Sequence, residues 1–277
     1  MVINLADNRP IGVFDSGVGG LTVVKEIVKC LPNEDIVYFG DTKRVPYGTK
    51  SKQTIRKFAR EDEAFLLRED VKLIIAACGT VSAVAFDTGK DLPVEFVGVV
   101  SNAAKSAVCS TKNKKIGVLG TSATIKSEAH KKEILKLMPD AKVFTQECTL
   151  FVPLVEAGLT SSDDIAVNKI ADDYLVPIKE SGVDTLILGC THYPLLMDVI
   201  QKKMGSNVTL INMGEATAAY VAESLKRENA LNCKTEKGNV KIFVSDITQS
   251  FCDTASLILS ADINENNINQ VEIEGII

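Results

Sequence analysis

Two cysteines in this 277-residue chain follow aliphatic runs of the same kind. Cys190 comes after Leu186-Ile187-Leu188-Gly189, Cys78 comes after Leu73-Ile74-Ile75-Ala76-Ala77, and a threonine stands close behind each cysteine. Such runs predict buried parallel strands, so each thiol is expected at the carboxyl end of a strand. A helix that begins there would place a positive partial charge beside the thiol, which lowers its pKa and favours the thiolate, a competent base.

Two such groups that face each other across one substrate can invert a carbon centre. One thiolate removes a proton and the other thiol delivers one from the opposite face, without a cofactor; each well-placed acid or base contributes about 10²–10⁴-fold to the rate. The alternative is that buried cysteines merely pack, as they commonly do in α/β cores. The matched contexts favour catalysis for Cys78 and Cys190. We keep the packing interpretation for the other five, which are Cys30, Cys109, Cys148, Cys233 and Cys252.

A glycine-rich turn near the amino terminus links a short strand to a helix. The strand begins at Ile11 and ends at Asp15, and three of the next five residues, 16–20, are glycine. Phosphate-binding turns are also rich in glycine, but this segment contains neither Gly-x-Gly-x-x-Gly nor a Walker lysine. The turn is therefore predicted to place Asp15 and Ser16 at the carboxyl end of the strand rather than to bind a nucleotide.

The order of strands and helices repeats along the chain. Ile116-Gly117-Val118 recurs 105 residues after Ile11-Gly12-Val13, and the two cysteines lie 112 residues apart. Similar offsets predict a duplicated module, and alternating strands and helices predict parallel sheets with right-handed crossovers. The expected fold is α/β, with two pseudo-symmetric flavodoxin-like modules and the active site in the cleft between them. We expect residues 1–100 plus 213–277 in the first domain and residues 101–212 in the second.

Several local features refine this scheme. Ser51 is expected to cap a helix, and a helix is expected from about Ser82. The segment 240–245 is predicted to be a strand that returns to the first sheet. Residues 264–269 are too polar for a core, whereas residues 271–276 alternate like a short edge strand.

Ligands of open parallel sheets bind at the carboxyl ends of the strands, so two facing modules would share one cleft. Hydroxyls, small residues and backbone N–H groups there suit a compact anionic or zwitterionic ligand, for instance one with a carboxylate. Tyr47 lies in a loop long enough to bind a ligand, although it can equally be a packing aromatic with a wet hydroxyl. The side chains at predicted strand ends and adjoining loops are Asp15, Ser16, Tyr47, Cys78, Thr80, Thr121, Cys190, Thr191 and His192.

Composition excludes several classes of protein. The net charge is −5 and no face rich in Lys and Arg stands out, which argues against a nucleic-acid partner. The chain has no apolar run of membrane-spanning length, and its first ten residues lack the layout of a secretion signal. Seven cysteines without Cys-x-x-Cys spacing indicate free thiols in a reducing compartment, so we expect a cytoplasmic protein. With only two histidines, a histidine-rich site is excluded and no metal is expected.

Ordered motifs along nearly the whole chain resemble the glutamate racemases of the aspartate/glutamate racemase superfamily. These are bacterial enzymes that interconvert L- and D-glutamate without a cofactor and supply peptidoglycan synthesis. The matching segments are Gly12-Val-Phe-Asp-Ser-Gly-Val-Gly-Gly-Leu-Thr, Phe39-Gly-Asp-Thr with Pro46-Tyr-Gly, the Cys78 strand, Gly117-Val-Leu-Gly-Thr, Phe151-Val-Pro-Leu-Val-Glu, Leu188-Gly-Cys-Thr-His-Tyr-Pro-Leu and Gly214-Glu-Ala-Thr-Ala.

The resemblance implies that Cys78 and Cys190 are the catalytic acid and base, each handling the α-proton of one enantiomer. It also implies that Asp15, Glu156 and His192 assist proton transfer. The residues it places around the substrate are Asp15, Ser16, Pro46, Tyr47, Gly48, Gly79, Thr80, Thr121, Thr191 and His192. The family usually has Cys-Asn-Thr where this chain has Cys78-Gly79-Thr80, so an amide that commonly holds the substrate is absent, and the backbone N–H of Gly79 is expected to contribute instead.

Other functions remain compatible with the residues. Two cysteines serve equally well in a racemase of aspartate or another acidic amino acid. The related decarboxylases rely on a single catalytic cysteine and match less well. A regulatory protein is the alternative from another class, since some glutamate racemases bind DNA gyrase. The family forms varied dimers, so we expect a homodimer with a small-molecule substrate, no cofactor and no membrane partner.

Overall fold

Short apolar strands form the interior of the molecule. The computed structural model describes residues 6–276 of the chain. Its strands are β1 (Ile11–Asp15), β2 (Ile36–Gly40), β3 (Leu73–Ala76), β4 (Glu95–Gly98), β5 (Lys115–Gly120), β6 (Lys142–Glu147), β7 (Thr185–Leu188), β8 (Thr209–Asn212), β9 (Val240–Val244) and β10 (Ile268–Gln270). Every residue of β1, β3 and β7 is buried, as expected for central strands of parallel sheets that helices cover on both faces.

Helices alternate with these strands. They are α1 (Leu21–Cys30), α2 (Lys52–Arg68), α3 (Gly79–Val84), α4 (Val99–Ser110), α5 (Ser122–Ser127), α6 (Ala129–Leu137), α7 (Phe151–Glu156), α8 (Ile165–Glu180), α9 (Met197–Met204), α10 (Met213–Arg227) and α11 (Gln249–Leu259). Single 3-10 turns occupy Tyr47–Thr49, Phe86–Asp91, Tyr193–Leu196 and Glu265–Asn267. Within residues 6–276, no helix combines the length and the apolar character that crossing a bilayer requires.

The strands form two parallel sheets with the same internal order. The first sheet runs β10-β9-β2-β1-β3-β4 and the second runs β6-β5-β7-β8. In the first sheet β1 lies between β2 and β3, and β4 lies beside β3. In the second sheet β5 lies between β6 and β7 in the same way, and β8 lies beside β7. The expected α/β fold with two parallel sheets is confirmed, while the domain limits of 1–100 plus 213–277 and 101–212 stay a prediction.

The two sheets share packing across their boundary. One cluster of buried apolar side chains contains Val97 and Ala103 from the first part of the chain together with Ile116, Ile187 and Ile211 from the second. Burial of apolar area stabilises such contacts by roughly 25 cal/mol per Å². The shared core therefore packs the two halves against each other and sets the spacing between their strand ends in this structure.

Most of the local predictions are confirmed. The side chain of Ser51 accepts a hydrogen bond from Thr54 N at the start of α2. β9 pairs with β2 and so returns to the first sheet. The carboxyl-terminal edge strand was predicted wrongly, because it is β10 that pairs with β9, whereas residues 271–276 form no strand. Ile268 buries its side chain while the next two residues are exposed, and edge pairing uses backbone groups that need no apolar pattern.

Candidate active site

The carboxyl ends of strands from both sheets border one cavity of about 290 Å³. Its wall includes all but one of the residues that the sequence assigned to the site. Those in the wall are Asp15, Ser16, Pro46, Gly48, Cys78, Gly79, Thr80, Thr121, Glu156, Cys190, Thr191 and His192. The parallel topology explains the convergence, since all strands of a parallel sheet end at the same edge.

Cys78 stands at the N-cap position of α3, two residues after the end of β3. The helix begins at Gly79, three residues earlier than predicted, and the thiol lies 3.6 Å from Oγ of Ser16, to which it donates. Burial, and after it the charge of the Asp15 carboxylate, raise the pKa of Cys78 to about 12. The expected low pKa is therefore wrong for Cys78, because burial outweighs the field of a helix only six residues long.

Cys190 follows β7 and has a histidine as its neighbour. Its sulfur lies 3.8 Å from Nδ1 of His192, and Nε2 of the same ring lies 3.3 Å from Oε1 of Glu156. Burial by itself lowers the pKa of His192, but the contacts with Cys190 and Glu156 and the charge of Asp15 raise it to about 10. The imidazole is thus held as a cation beside the thiol of Cys190.

Asp15 ends β1 and is almost fully buried, with 1% of its surface exposed. One carboxylate oxygen, Oδ2, accepts a hydrogen bond from Gly17 N, whereas Oδ1 has no partner within the described structure. Burial raises the pKa of Asp15, and the nearby His192 opposes that rise. A buried oxygen without a donor at the wall of a cavity is suited to accept a hydrogen bond from a ligand ammonium group.

Glycines allow the two cysteine loops to touch. A methyl group at Gly79 would lie 2.7 Å from the carbonyl oxygen of Gly189, the residue before Cys190. On the other side, a methyl group at Gly19 would lie 2.3 Å from Oγ1 of Thr191. A side chain at position 79 would therefore require the two loops to move apart.

Hydroxyl groups join the halves at two further points. Thr22 Oγ1 donates to the carbonyl oxygen of Thr191 over 3.0 Å. The hydroxyls of Thr80 and Thr121 lie 3.3 Å apart. Thr121 also caps α5 through Thr124 N. The polar wall of the cavity is therefore built from groups that already fix each other, which reduces the entropy lost when a ligand binds.

The structure corrects the expectation for the side chain of Tyr47. This ring is 1% exposed, packs 5.3 Å from the ring of Phe58 and does not belong to the cavity wall. Its hydroxyl contacts the carboxylates of Asp41 and Asp62 instead of water. The residues on either side, Pro46 and Gly48, do line the cavity.

A third buried thiol in the wall was missed. Cys148 was given the packing interpretation, yet it borders the cavity, and its sulfur lies 3.7 Å from the carbonyl oxygen of Gln146. Burial raises its pKa, and the nearby Cys190 adds to that effect. The strand before it, β6, is polar and only partly buried, so the aliphatic-run signal was absent. The other wall residues not predicted are Val45, Thr49, Ser122, Thr149, Val152, Pro153 and Gly189.

No group of three or more His, Cys, Asp and Glu side chains within residues 6–276 has an arrangement that could hold a metal ion. The acidic and sulfur-bearing residues of the cavity contact histidine, hydroxyl and backbone groups instead. The chemistry available from the wall itself is proton transfer by thiols, a carboxylate and an imidazole.

Comparison with known proteins gives the site a family context. Residues 11–221 match the family model described as Asp/Glu/Hydantoin racemase. The glutamate racemase of Geobacter metallireducens is 45% identical over 267 residues, which is 96% of this chain and 97% of that protein. The structure of a glutamate racemase isoform from Bacillus anthracis has a TM-score of 0.91 at 35% identity and covers 96% of this chain and 98% of its own.

A second solved structure is the glutamate racemase of Francisella tularensis in complex with D-glutamate. It has a TM-score of 0.88 at 37% identity and covers 97% of this chain and 99% of its own. These likenesses extend over both sheets and confirm the resemblance that the ordered motifs indicated. The chain thus belongs to the Asp/Glu/hydantoin racemase family.

Proposed function

We propose that this enzyme interconverts L- and D-glutamate, with Cys78 and Cys190 as the two proton-transfer groups. The observation that carries the proposal is that thiols at strand ends of two different sheets border one cavity of about 290 Å³. Similar proteins are named glutamate racemases, and one of them was solved with D-glutamate bound, which supports glutamate as the substrate. The volume lies at the lower end of the range for ligand pockets, about 300–1,000 Å³, and suits a small amino acid.

The wall offers distinct partners for each end of an amino acid. The free oxygen of Asp15 accepts from the substrate ammonium group. Hydroxyls of Ser16, Thr80, Thr121 and Thr191, with backbone N–H groups, donate to the carboxylates. Since no described Lys or Arg lines the cavity, neutral hydrogen-bond donors bind the substrate carboxylates. In this orientation the α-carbon lies between the two thiols.

The reaction follows from that placement. The thiolate of one cysteine takes the α-proton, and the electron pair of the C–H bond stays on the α-carbon, spread into the neighbouring carboxylate. The thiol of the other cysteine then gives its proton to the opposite face and becomes a thiolate. His192, held by Glu156, stabilises the thiolate of Cys190. For Cys78, burial is the larger cause of the raised thiol pKa, and a substrate ammonium beside Asp15 offsets the second cause, the charge of the Asp15 carboxylate.

The proposal also covers the cellular role, the compartment and the oligomeric state of the enzyme. We infer that the enzyme supplies D-glutamate for peptidoglycan synthesis in the cytoplasm, where its thiols stay reduced, and that it acts as a homodimer without a cofactor. The domains of residues 1–100 plus 213–277 and 101–212 would each contribute one thiol to the cleft.

Incubation with L-glutamate in deuterated water, without pyridoxal phosphate or added metal, tests the proposal. The expected product is D-glutamate that carries deuterium at the α-carbon. Aspartate is tested in parallel, and faster inversion of aspartate would replace glutamate as the substrate. Absence of both exchange and inversion with either amino acid would favour a binding or regulatory protein on the same fold.

A further inference from the structure

One wall of the cavity belongs to the loop between β2 and α2. Val45, Pro46, Gly48 and Thr49 line the cavity. The two remaining residues of this stretch, 44 and 47, turn away from it into the protein. The loop also reaches the other half of the molecule, since a methyl group at Gly48 would lie 3.2 Å from Cβ of Thr121.

Arg44 anchors one end of this wall. Its Nε lies 2.6 Å from Oδ2 of Asp41, another nitrogen lies 3.3 Å from Oδ1 of Asp62, and a third contacts the carboxylate of Glu61. The guanidinium carbon lies 4.1 Å from the centre of the Phe58 ring. The side chain of Arg44 is 10% exposed and the three carboxylates are at most 2% exposed, so solvent screens these contacts little.

Tyr47 anchors the other end to the same carboxylates. Its hydroxyl donates to Asp41 and lies 3.1 Å from Oδ2 of Asp62. Burial and the charge of Asp41 raise the pKa of Asp62 well above its usual range. The Tyr47 hydroxyl thus lies between the carboxyl groups of Asp41 and Asp62 and contacts both.

The carboxylates are in turn fixed to regular structure. Asp41 follows β2 and accepts a hydrogen bond from Ser245 Oγ over 2.8 Å, just beyond β9. Glu61 and Asp62 belong to α2. The buried cluster thus ties the loop to two strands and a helix, while the cavity side of the loop presents only Val45, Pro46, Gly48 and Thr49.

We propose that Arg44 and Tyr47 are positioning residues for substrate binding: through the buried carboxylates they hold the wall formed by residues 45–49 against Thr121. This role rests on the proposed racemase activity. Neither residue touches the cavity, so neither takes part in proton transfer. Loosening the wall weakens substrate and transition state alike, which raises KM and leaves kcat nearly unchanged.

Tyr47→Phe is the sharpest test, because it removes the hydroxyl and keeps the buried ring. We expect KM for both enantiomers of glutamate to rise roughly tenfold or more, the effect of losing hydrogen bonds to charged groups, with kcat within about twofold. Binding of D-glutamate, measured by calorimetry, should weaken by the same factor. The matched control is Tyr220→Phe, since the Tyr220 hydroxyl also donates to a carboxylate, Glu95, over 2.8 Å but outside the cavity wall.

An unchanged KM in Tyr47→Phe overturns the proposal, whether or not the melting temperature falls, because the cluster would then serve stability alone. A loss of kcat at constant KM overturns it as well. If Tyr47→Phe does not fold, Arg44→Lys replaces it, because one ammonium group cannot contact three carboxylates as the guanidinium does, and a rise in KM is again expected. Inactive wild-type protein that also fails to bind D-glutamate refutes the proposed function, whereas active wild type with an unaffected variant refutes the positioning role only.

Discussion

Replacing either Cys78 or Cys190 by serine separates proton removal from inversion. A hydroxyl is far less acidic than a thiol, so each variant lacks one of the two acid and base groups. The loss of kcat is expected at about 10²–10⁴-fold, or about 3–5 kcal/mol of barrier.

The thiol that remains in each variant shows which enantiomer that cysteine deprotonates. In Cys78→Ser, the thiolate of Cys190 still faces one side of the α-carbon, so it removes the α-proton of one enantiomer and returns deuterium to the same face. Cys190→Ser should exchange the other enantiomer. Proton NMR of the α-position in deuterated water, combined with chiral chromatography, measures exchange and inversion separately for L- and D-glutamate.

Two results would refute the two-base arrangement. The first is inversion at near wild-type rates in either variant. The second is exchange of the same enantiomer by both variants, which would place both thiols on one side of the substrate. Cys109→Ser is the control, since this thiol is exposed and lies outside the cavity wall, and its activity should equal that of the wild type.

Three further perturbations test neighbouring parts of the structure. Gly79→Ala places a methyl group 2.7 Å from the Gly189 carbonyl oxygen, so kcat should fall and urea unfolding should show a loss of about 1–3 kcal/mol. Glu156→Gln removes a contact that raises the pKa of His192, so the basic limb of the pH profile of kcat should move to lower pH. His130 is buried with its pKa lowered to about 4, so the stability it contributes is complete above about pH 6.5 and is lost as pH falls towards 4. Urea midpoints at pH 7 and pH 5 should differ more in wild type than in His130→Phe.

The sequence located the strand ends because aliphatic runs mark buried parallel strands unambiguously. The runs before Cys78 and Cys190 each become a central strand, and the thiols follow at the predicted edge. The same signal failed at Cys148, whose preceding strand is polar and half-buried at the margin of its sheet. A polar edge strand therefore gives no aliphatic-run signal for the site residue that follows it.

Side-chain direction and charge state were harder to predict. Tyr47 stands between two cavity-lining residues, and nothing in the local sequence shows that its ring turns towards Asp41 and Asp62. Asp41 precedes Tyr47 by six residues and Asp62 lies in α2, and the three side chains meet only in the folded protein. The expected low pKa of Cys78 failed for a related reason, since burial depends on tertiary packing that a local helix signal does not contain.

The two thiols occupy equivalent places in repeated modules but have unlike neighbours. Ser16 and the Asp15 carboxylate adjoin Cys78, whereas the imidazole of His192 adjoins Cys190. Under the proposed mechanism, the two proton transfers therefore take place in unlike surroundings. Because enantiomers have equal free energies, kcat/KM must be the same in both directions at every pH. The asymmetry of the site is therefore expected in kcat and in KM taken separately. Each of these should have different pH profiles for L- and D-glutamate, and the differences should cancel in kcat/KM.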